Sequence, residues 1–375
     1  VPFRVHLGLY ENETSALCQW HVPAKHYLEN WGDARAYDGT ATLIQPLVEP
    51  LYPATKSSVE MMAVMLGQAD ATEYDLLRQY WTDQGIDDQA WKESLFNGYV
   101  ANTALPVKTV SANLASLTSV LQQEPAADSE GLEIVFRPDP TIYDGHFSNN
   151  GWLQELPKPI TKLTWDNALL LSPNTAATFG LASQDVVVVD YEGRTIHAPV
   201  WILPGQGDNV ATMFLGYGRQ RVGRVGNGIG ANAYSIRTST APWFGKGVTL
   251  RKSGDTYRLA STQLHWNMEG REPVRAGTLA MYQKDPEFVQ HIGEHEVDPN
   301  LTLLPKWDYN SYAWGMVVDL NTCNGCNACV AACVAENNIP VVGKDQVLVG
   351  REMQWIRIDT YYEGDLETPT RINSQ

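Results

Sequence analysis

Cysteine is scarce in this 375-residue chain and unevenly distributed. Four of the five cysteines fall within eleven residues, CNGCNACVAAC, as Cys323, Cys326, Cys329 and Cys333. The fifth, Cys18, lies far away near the start. With few cysteines and ample length for a core, the chain is not a small disulfide-stapled domain. The clustered thiols instead indicate a metal centre.

Basic residues are also scarce. The chain has 27 Lys and Arg against 43 Asp and Glu, a formal net charge of -16. Such a surface repels phosphate backbones and anionic lipid headgroups, so we expect no nucleic-acid partner. Long apolar runs are missing as well. The most apolar stretch, Val186–Tyr191, suits a buried strand, and we predict no membrane span in this chain.

Several catalytic motifs have no match. The sequence contains no C-x-x-C-H haem attachment site, no G-x-S-x-G and no phosphate-binding loop. HIGEH at residues 291–295 matches the H-x-x-E-H pattern of one peptidase class, but its central Gly293 and the prolines on either side favour a linker. We therefore expect no bond-making catalytic site on this chain.

The cysteine spacings of two, two and three residues are those of bacterial ferredoxins. In that pattern Cys323, Cys326 and Cys329 converge on one cubane, while Cys333, a helical turn later, points away and ligates a neighbouring cluster. Two clusters need eight thiolates, so we expect the remaining ligands beyond residue 375 or on another chain. The missing initiator methionine suggests that the sequence is part of a longer polypeptide, or is processed.

Two other uses of these cysteines are weaker. Structural zinc sites usually pair two C-x-x-C units across a dozen or more residues, which this run does not do. Disulfides between four cysteines so close together would be strained.

Residues 1–125 mix loops with three capped helices and form the first predicted domain, an α/β region. Ser57 or Ser58 begins a helix through Met65, Thr72 one through Trp81, and Asp87 or Asp88 one through Tyr99. Apolar stripes on the last two predict core faces. The segment from Cys18 to Met62 is predicted to be loop-like, because turn glycines and prolines interrupt it. Leu76, Leu77, Tyr80 and Trp81 form one stripe, and Trp91, Leu95, Phe96 and Tyr99 form the other.

Residues 126–305 form the second predicted domain, a β-barrel or sandwich followed by a linker. Its apolar runs are rich in β-branched and aromatic residues, punctuated by Gly, Pro and Asp. One short helix interrupts them, capped by Ser172 and ended by Gly180. A glycine-rich loop carries Arg219, Arg221 and Arg224. It either cradles an anionic cofactor or a neighbouring subunit, or is a mobile solvated loop.

Two parts of the sequence carry a family resemblance. LLLSPNTAATFGLASQDVVVVDYEGRTIHAPVWILPGQGD resembles the double-psi β-barrel of molybdopterin oxidoreductases, with Gln184 in place of a glycine before Asp185. The WGDARAYDGT loop and the cysteine run with its GREMQWIRID tail occur on the same chain. This combination resembles the B subunits of alternative complex III. Val334 stands where a proline often follows the fourth cysteine.

The resemblance implies a multidomain fold, an α/β molybdopterin-oxidoreductase-like region and a double-psi barrel followed by a ferredoxin-like iron-sulfur domain that starts at residues 306–375. It implies [4Fe-4S] clusters, with a [3Fe-4S] cluster as an additional candidate, and no molybdopterin. Quinol oxidised in a membrane-embedded partner would feed these clusters, which pass electrons to c-type cytochrome subunits. The complex would work on the periplasmic face of the cytoplasmic membrane.

Two alternatives stay open at this point. One is a molybdenum-dependent oxidoreductase of the polysulfide or thiosulfate type, with clusters leading to a buried metal. The other is a structural scaffold in which one cluster only fixes the fold.

Overall fold

Two units, each with its own internal contacts, make up the chain. The computed structural model describes residues 1–123, 131–271, 274–292, 301–305, 307–308, 310–365 and 370–374. The first unit consists of Val1–Ala126 with Gln220–Val222, and the second of Ala127–Arg219 with Gly223–Gln375. The three-part division at residues 125 and 305 remains a prediction.

The first unit contains short strands and capped helices. A parallel pair, β1 with β2, stands apart from the antiparallel sheet β3-β4-β5. Helices α1 to α3 begin at the predicted caps Ser57, Thr72 and Asp87, each of which accepts a hydrogen bond from a backbone N–H of the first turn. The elements are β1 (Val5–Gly8), β2 (Trp20–Pro23), β3 (Gly32–Arg35), β4 (Ala41–Ile44), α1 (Ser58–Met65), α2 (Glu73–Asp83), α3 (Asp88–Asn97), β5 (Tyr99–Val100) and α4 (Leu114–Gln123), with 3-10 turns at Ser15–Leu17 and Tyr27–Glu29.

The core of the first unit is small. Trp81 of α2 and Trp91 of α3 are buried against Ala41, Leu43 and Val100 of the sheet. The predicted stripes are wrong at Tyr80, Phe96 and Tyr99, which are 46%, 91% and 46% exposed. The helix predicted to run through Tyr99 ends at Asn97, because Gly98 adopts the left-handed conformation and Tyr99 begins β5. The predicted loop is wrong where β2, β3 and β4 form. Strands of only four residues form because they pair with other strands. The positions of glycine and proline in a segment do not predict such pairing.

The second unit is built around a closed six-stranded barrel in the order β10-β8-β11-β6-β12-β9. The barrel expected from the sequence is confirmed. The elements are β6 (Leu132–Arg137), α5 (Gly151–Glu155), β7 (Leu163–Thr164), β8 (Leu169–Leu171), α6 (Pro173–Thr178), β9 (Asp185–Tyr191), β10 (Arg194–Ile202), β11 (Val210–Phe214), β12 (Phe244–Thr256), β13 (Ala260–Ser261), α7 (Leu279–Lys284), α8 (Ala328–Glu336), α9 (Lys344–Val347), β14 (Asp359–Glu363) and β15 (Thr370–Ser374), with 3-10 turns at Ala233–Ser235 and Phe288–His291.

Side chains at alternate positions of the strands fill the barrel interior. Along β6 every second residue is buried, so Ile134 and Phe136 face the core at 0% and 1% exposure. Facing residues of β9 and β11, such as Val187, Val189 and Met213, complete it. Replacing a residue such as Phe136 with alanine would cost about 3–5 kcal/mol at such a site. The core is therefore a packed one, which makes the barrel a rigid support for the segments outside it.

Two strands of the barrel have pairing partners that the sequence pattern does not predict. Strand β8, missed as a strand because LLL runs directly into helix α6, pairs with both β10 and β11. Strand β12 bends at register shifts and pairs first with β6 and then with β9, which closes the barrel. Among the described residues, no helix is both long and apolar enough to span a bilayer.

Candidate metal centre

The four clustered cysteines lie in and just before helix α8. Gly325 and Asn327 both adopt the left-handed conformation, at φ 73° and 64°, so the chain turns tightly between Cys323 and the helix. Cys329 is then the second residue of α8, where the helix dipole favours a negatively charged thiolate. None of the four forms a disulfide. Cys326 and Cys329 are exposed, and Cys323 and Cys333 are half-buried.

The helix changes one detail of the predicted ligand arrangement. Positions four apart lie on the same face of an α-helix, so Cys329 and Cys333 share one face. Their separation comes from the rise along the axis, about 6 Å for four residues. Cys333 is thus one turn further along, and does not point to the opposite side of the helix.

The apolar side of helix α8 packs against other residues of the second unit, which contains the barrel and is called the barrel unit below. Val330 and Val334 are buried together with Leu156, Ile339 and Ile358. Cys333 packs at the edge of this cluster, which accounts for its partial burial. One face of α8 is therefore packed against protein, while Cys329 near the start of the helix is exposed.

Asn327 fixes the loop that carries the first two cysteines. Its side chain is 1% exposed, and Nδ2 donates a hydrogen bond of 2.5 Å to the carbonyl of Pro157. Because this amide lies between Cys326 and Cys329, the loop is held at the surface of the barrel unit. Sequence reasoning missed this contact, since the two residues are far apart along the chain.

A second anchor is the carboxylate of Glu155 at the end of α5, which is 6% exposed. Oε1 accepts from the backbone N–H of Val342 at 3.0 Å, and Oε2 from that of Gly343 at 2.8 Å. The Trp165 indole N–H also donates to Oε2, at 3.2 Å. A charged acceptor with three donors makes strong hydrogen bonds, so Glu155 ties the segment after α8 to the barrel unit.

A buried ion pair lies on the next turn of the same segment. Lys344 Nζ contacts Asp166 Oδ2 at 2.6 Å, and lies 3.9 Å from the centre of the Tyr257 ring. The Tyr257 hydroxyl donates to Asp166 Oδ1 at 3.0 Å. Burial is the main reason that the pKa of Tyr257 is raised, so it remains a neutral donor at physiological pH.

The Asn337 side chain contacts the sulfur of Cys333. Nδ2 of Asn337, the residue that ends α8, lies 3.5 Å from Cys333 Sγ and donates to the Cys333 carbonyl at 3.0 Å. Hydrogen bonds to ligand sulfurs help to set cluster potentials. The four-residue spacing from Cys333 to Asn337 is a signal that sequence reasoning could have used.

These residues fit an iron-sulfur centre by their donor chemistry. Four cysteines outside any disulfide follow the ferredoxin spacing, the left-handed turns allow the loop to wrap, and the Asn337 amide lies within reach of a sulfur. In the part of the chain that the structure describes, no three His, Cys, Asp or Glu side chains are gathered around one point where a metal ion would bind. The assignment of the four cysteines as ligands stays a prediction.

The arginine-bearing glycine loop is packed against protein. A Cβ on Gly218 would lie 2.3 Å from the backbone nitrogen of Asn232, and one on Gly230 would strike Asn167 and Tyr217. Arg219 donates to the carbonyl of Gly145 at 3.0 Å. Gly218 and Gly230 therefore serve close approach of the backbone. Arg221 and Arg224 are exposed, as a solvated loop would have them, so both alternatives for the loop stay predictions.

Among the described residues, neither the HIGEH motif nor Cys18 belongs to a group of three side chains that could hold a metal ion. His291 ends a 3-10 turn, and His295 lies outside the described residues. Cys18 is a half-buried free thiol in the first unit.

Comparison with known proteins adds sequence likeness to this geometry. No protein-family model matches the chain. Over 278 residues, 68% of the chain, it is 24% identical to the menaquinone reductase, molybdopterin-binding-like subunit of Nitratidesulfovibrio vulgaris. A stretch of 26 residues, 7% of the chain, is 69% identical to the menaquinone reductase, iron-sulfur cluster-binding subunit of the same organism.

The coverage of these relatives is partial. The chain spans 38% of the first relative's length and 10% of the second's. Among solved structures, acetylene hydratase from Pelobacter acetylenicus aligns with 57% of the chain and 33% of its own length, at 15% identity and a TM-score of 0.39. The sequence likeness is thus to subunits of a quinone reductase, and does not single out alternative complex III.

Proposed function

We propose that this chain is an iron-sulfur electron-transfer subunit of a membrane-associated, quinone-linked oxidoreductase. More specifically, we propose a role like that of the B subunit of alternative complex III, in which electrons from quinol reach c-type cytochromes. The chain itself makes and breaks no bonds of a substrate. Its parts are an α/β region at 1–125, a double-psi barrel with a linker at 126–305, and the start of a ferredoxin-like domain at 306–375.

One observation carries the proposal. A single polypeptide is similar to two different subunits of one menaquinone reductase, the molybdopterin-binding-like one and the iron-sulfur one. Within that polypeptide, the cysteine-bearing helix α8 packs on α5 of the barrel unit. A fusion of the two functions explains both the sequence likeness and this packing.

The four cysteines are the proposed ligands. Cys323, Cys326 and Cys329 would bind one [4Fe-4S] cluster, and Cys333 would bind a second cluster, [4Fe-4S] or [3Fe-4S], one helical turn away. An iron-sulfur cluster bound there accepts and releases single electrons. The chain positions it through Asn327 and Glu155, and Asn337 donates toward the Cys333 sulfur. This rigid support keeps the sulfurs in place as the charge of a cluster changes.

The proposed partners follow from the function. A membrane-embedded quinol-oxidising subunit would deliver electrons, and c-type cytochrome subunits would accept them on the periplasmic face of the cytoplasmic membrane. In cell fractionation we expect the chain with the membranes, released by mild detergent together with those partners. Recovery as a free cytoplasmic protein from gently broken cells would contradict the proposal.

A molybdenum oxidoreductase is the second candidate, favoured by the likeness to a molybdopterin-binding-like subunit. The glycine loop argues for the first candidate, since Gly218 and Gly230 approach protein atoms closely and Arg219 bonds to Gly145. Elemental analysis separates the two. We expect several iron and acid-labile sulfide equivalents per chain and no stoichiometric molybdenum or tungsten, whereas one molybdenum per chain would establish the second candidate.

A further inference from the structure

Two histidines face each other on the parallel strands of the first unit, away from the cysteine cluster in sequence. His6 of β1 and His21 of β2 are directly opposite in the strand register. Their Nδ1 atoms are 2.8 Å apart, and both side chains are half-buried. The ring centres are 5.0 Å apart, and the ring planes differ by 22°. The two imidazoles are therefore nearly coplanar and meet nitrogen to nitrogen.

A change of tautomer makes two imidazole lone pairs available at this contact. Between two neutral imidazoles, one Nδ1 carries a hydrogen and the other accepts it. When the histidine that carries this hydrogen takes the Nε2–H tautomer, with no net loss of a proton, both Nδ1 atoms present lone pairs to the same space. Neutral imidazole nitrogen is the ligand preferred by zinc, copper and nickel.

The ring spacing already matches such an ion. Two imidazoles bound to one tetrahedral ion through bonds of about 2.0 Å have nitrogens about 3.3 Å apart and ring centres roughly 5 Å apart. The observed ring centres need not move. The rings only have to tilt in place, so that the nitrogens separate by about 0.5 Å.

Gly8 favours the observed orientation of the His6 ring. The His6 ring lies over Gly8, two residues along the same face, and a Cβ there would come within 2.4 Å of its Cε1. A larger residue at this position would displace the ring.

We propose that His6 and His21 form a binding site for a tetrahedral divalent transition-metal ion of the zinc class. Each histidine supplies Nδ1, and water or a further donor completes the coordination. The site is separate from the proposed iron-sulfur ligands and stands whether or not the electron-transfer proposal does. A bound ion would cross-link β1 and β2, a ribbon of only four residue pairs.

Zinc binding to the intact protein, with its clusters assembled, tests the site. Equilibrium dialysis at a series of fixed free Zn²⁺ concentrations would compare the natural chain with His6→Gln, His21→Gln and Gly8→Ala. We expect one saturable equivalent in the natural chain, an affinity at least about tenfold lower in each histidine variant, and weaker binding in Gly8→Ala. His197→Gln, which removes an exposed histidine of β10, should bind like the natural chain.

Unchanged thermal unfolding of each variant without zinc would show that the fold is intact, and Zn²⁺ should raise the midpoint only where the pair is present. Equal zinc affinity in the natural chain and both histidine variants would overturn the proposal. So would a natural chain that binds no more zinc than the double variant that lacks both His6 and His21.

Discussion

At the scale of single residues, the Asn337 side chain contacts the sulfur of a proposed cluster ligand, Cys333. A donor near a thiolate ligand stabilises the more negative, reduced state of a cluster, which raises its reduction potential. The Asn337 amide lies 3.5 Å from Cys333 Sγ. Its effect should therefore be confined to the cluster that we propose Cys333 to bind.

Replacing Asn337 with alanine should make that potential more negative by about 40 mV. A hydrogen bond contributes about 1 kcal/mol, and a tenfold change in equilibrium, about 1.4 kcal/mol, corresponds to 59 mV for one electron. Potentiometric titration monitored by electron paramagnetic resonance measures the shift. Asn338→Gly removes an exposed amide one residue later and is the matched control. Equal potentials in the natural chain and Asn337→Ala would show that the amide does not act on the cluster.

The two helical cysteines should belong to different clusters. Cys329 and Cys333 lie on one face of α8 about one turn apart, which suits two neighbouring centres. Cys329→Ser and Cys333→Ser should each perturb a different paramagnetic signal of the intact protein. If both substitutions abolish the same signal and leave every other one unchanged, all four thiolates serve a single site.

At the scale of elements, the attachment of the cysteine segment depends on contacts that join distant parts of the chain. Glu155 of α5 accepts hydrogen bonds from Val342 and Gly343, which follow α8. Trp152 of α5 donates its indole N–H to the Ile339 carbonyl at 2.7 Å. Helix α5 is only five residues long, so we expect its contribution to stability to come from these hydrogen bonds to the segment after α8.

Glu155→Gln should destabilise this attachment by about 2 kcal/mol, because the amide replaces one acceptor oxygen with a donor that faces an N–H group. Urea unfolding and the rate of proteolysis after α8 both measure the loss. Glu336→Gln, an exposed carboxylate on α8 itself, is the control for the change of charge. Equal proteolysis of the two variants would mean that Glu155 does not anchor the segment.

The barrel should lose stability in acid through Asp185 at the start of β9. Lys252, at 2.7 Å, and the backbone N–H of Ala182 both hydrogen-bond to this carboxylate and lower its pKa from 3.8. A folded-state pKa below the unfolded value stabilises the fold above about pH 4, and this stability is lost as the pH falls through the folded pKa.

Asp185→Asn should therefore unfold more easily than the natural chain at neutral pH, and the difference should shrink below about pH 4. Thermal unfolding midpoints at several pH values measure it. Asp255→Asn, an exposed carboxylate of β12, should show no such convergence. A constant difference between Asp185→Asn and the natural chain from pH 7 to pH 3 would exclude this role.

The helix starts were predictable because capping is local. Ser57, Thr72, Asp87 and Ser172 each act within three residues of the backbone group that they bind. The short strands β2 to β4 were not predictable, since their partners decide whether they form. The contacts of Asn327 and Glu155 join positions separated by most of the second unit, and no pattern along the chain encodes such a pairing.

At the scale of the whole molecule, the barrel and the cysteine segment could be predicted from the sequence, but the contacts that join them could not. Alternating apolar residues predicted the strands, since a barrel buries one face of each. The closure by a bent β12 and the docking of α8 depend on tertiary packing. Both place the proposed ligands on a rigid body, as an electron carrier requires.

The electron-transfer role is tested most directly by reducing the intact complex with quinol and recording its iron-sulfur signals by electron paramagnetic resonance. We expect quinol under anaerobic conditions to produce the signals of reduced clusters, and an oxidised c-type cytochrome to abolish them. Those signals should change in Cys333→Ser, which ties the electrons to this chain. Signals that dithionite produces but quinol does not, in a complex that still oxidises quinol, would contradict the account.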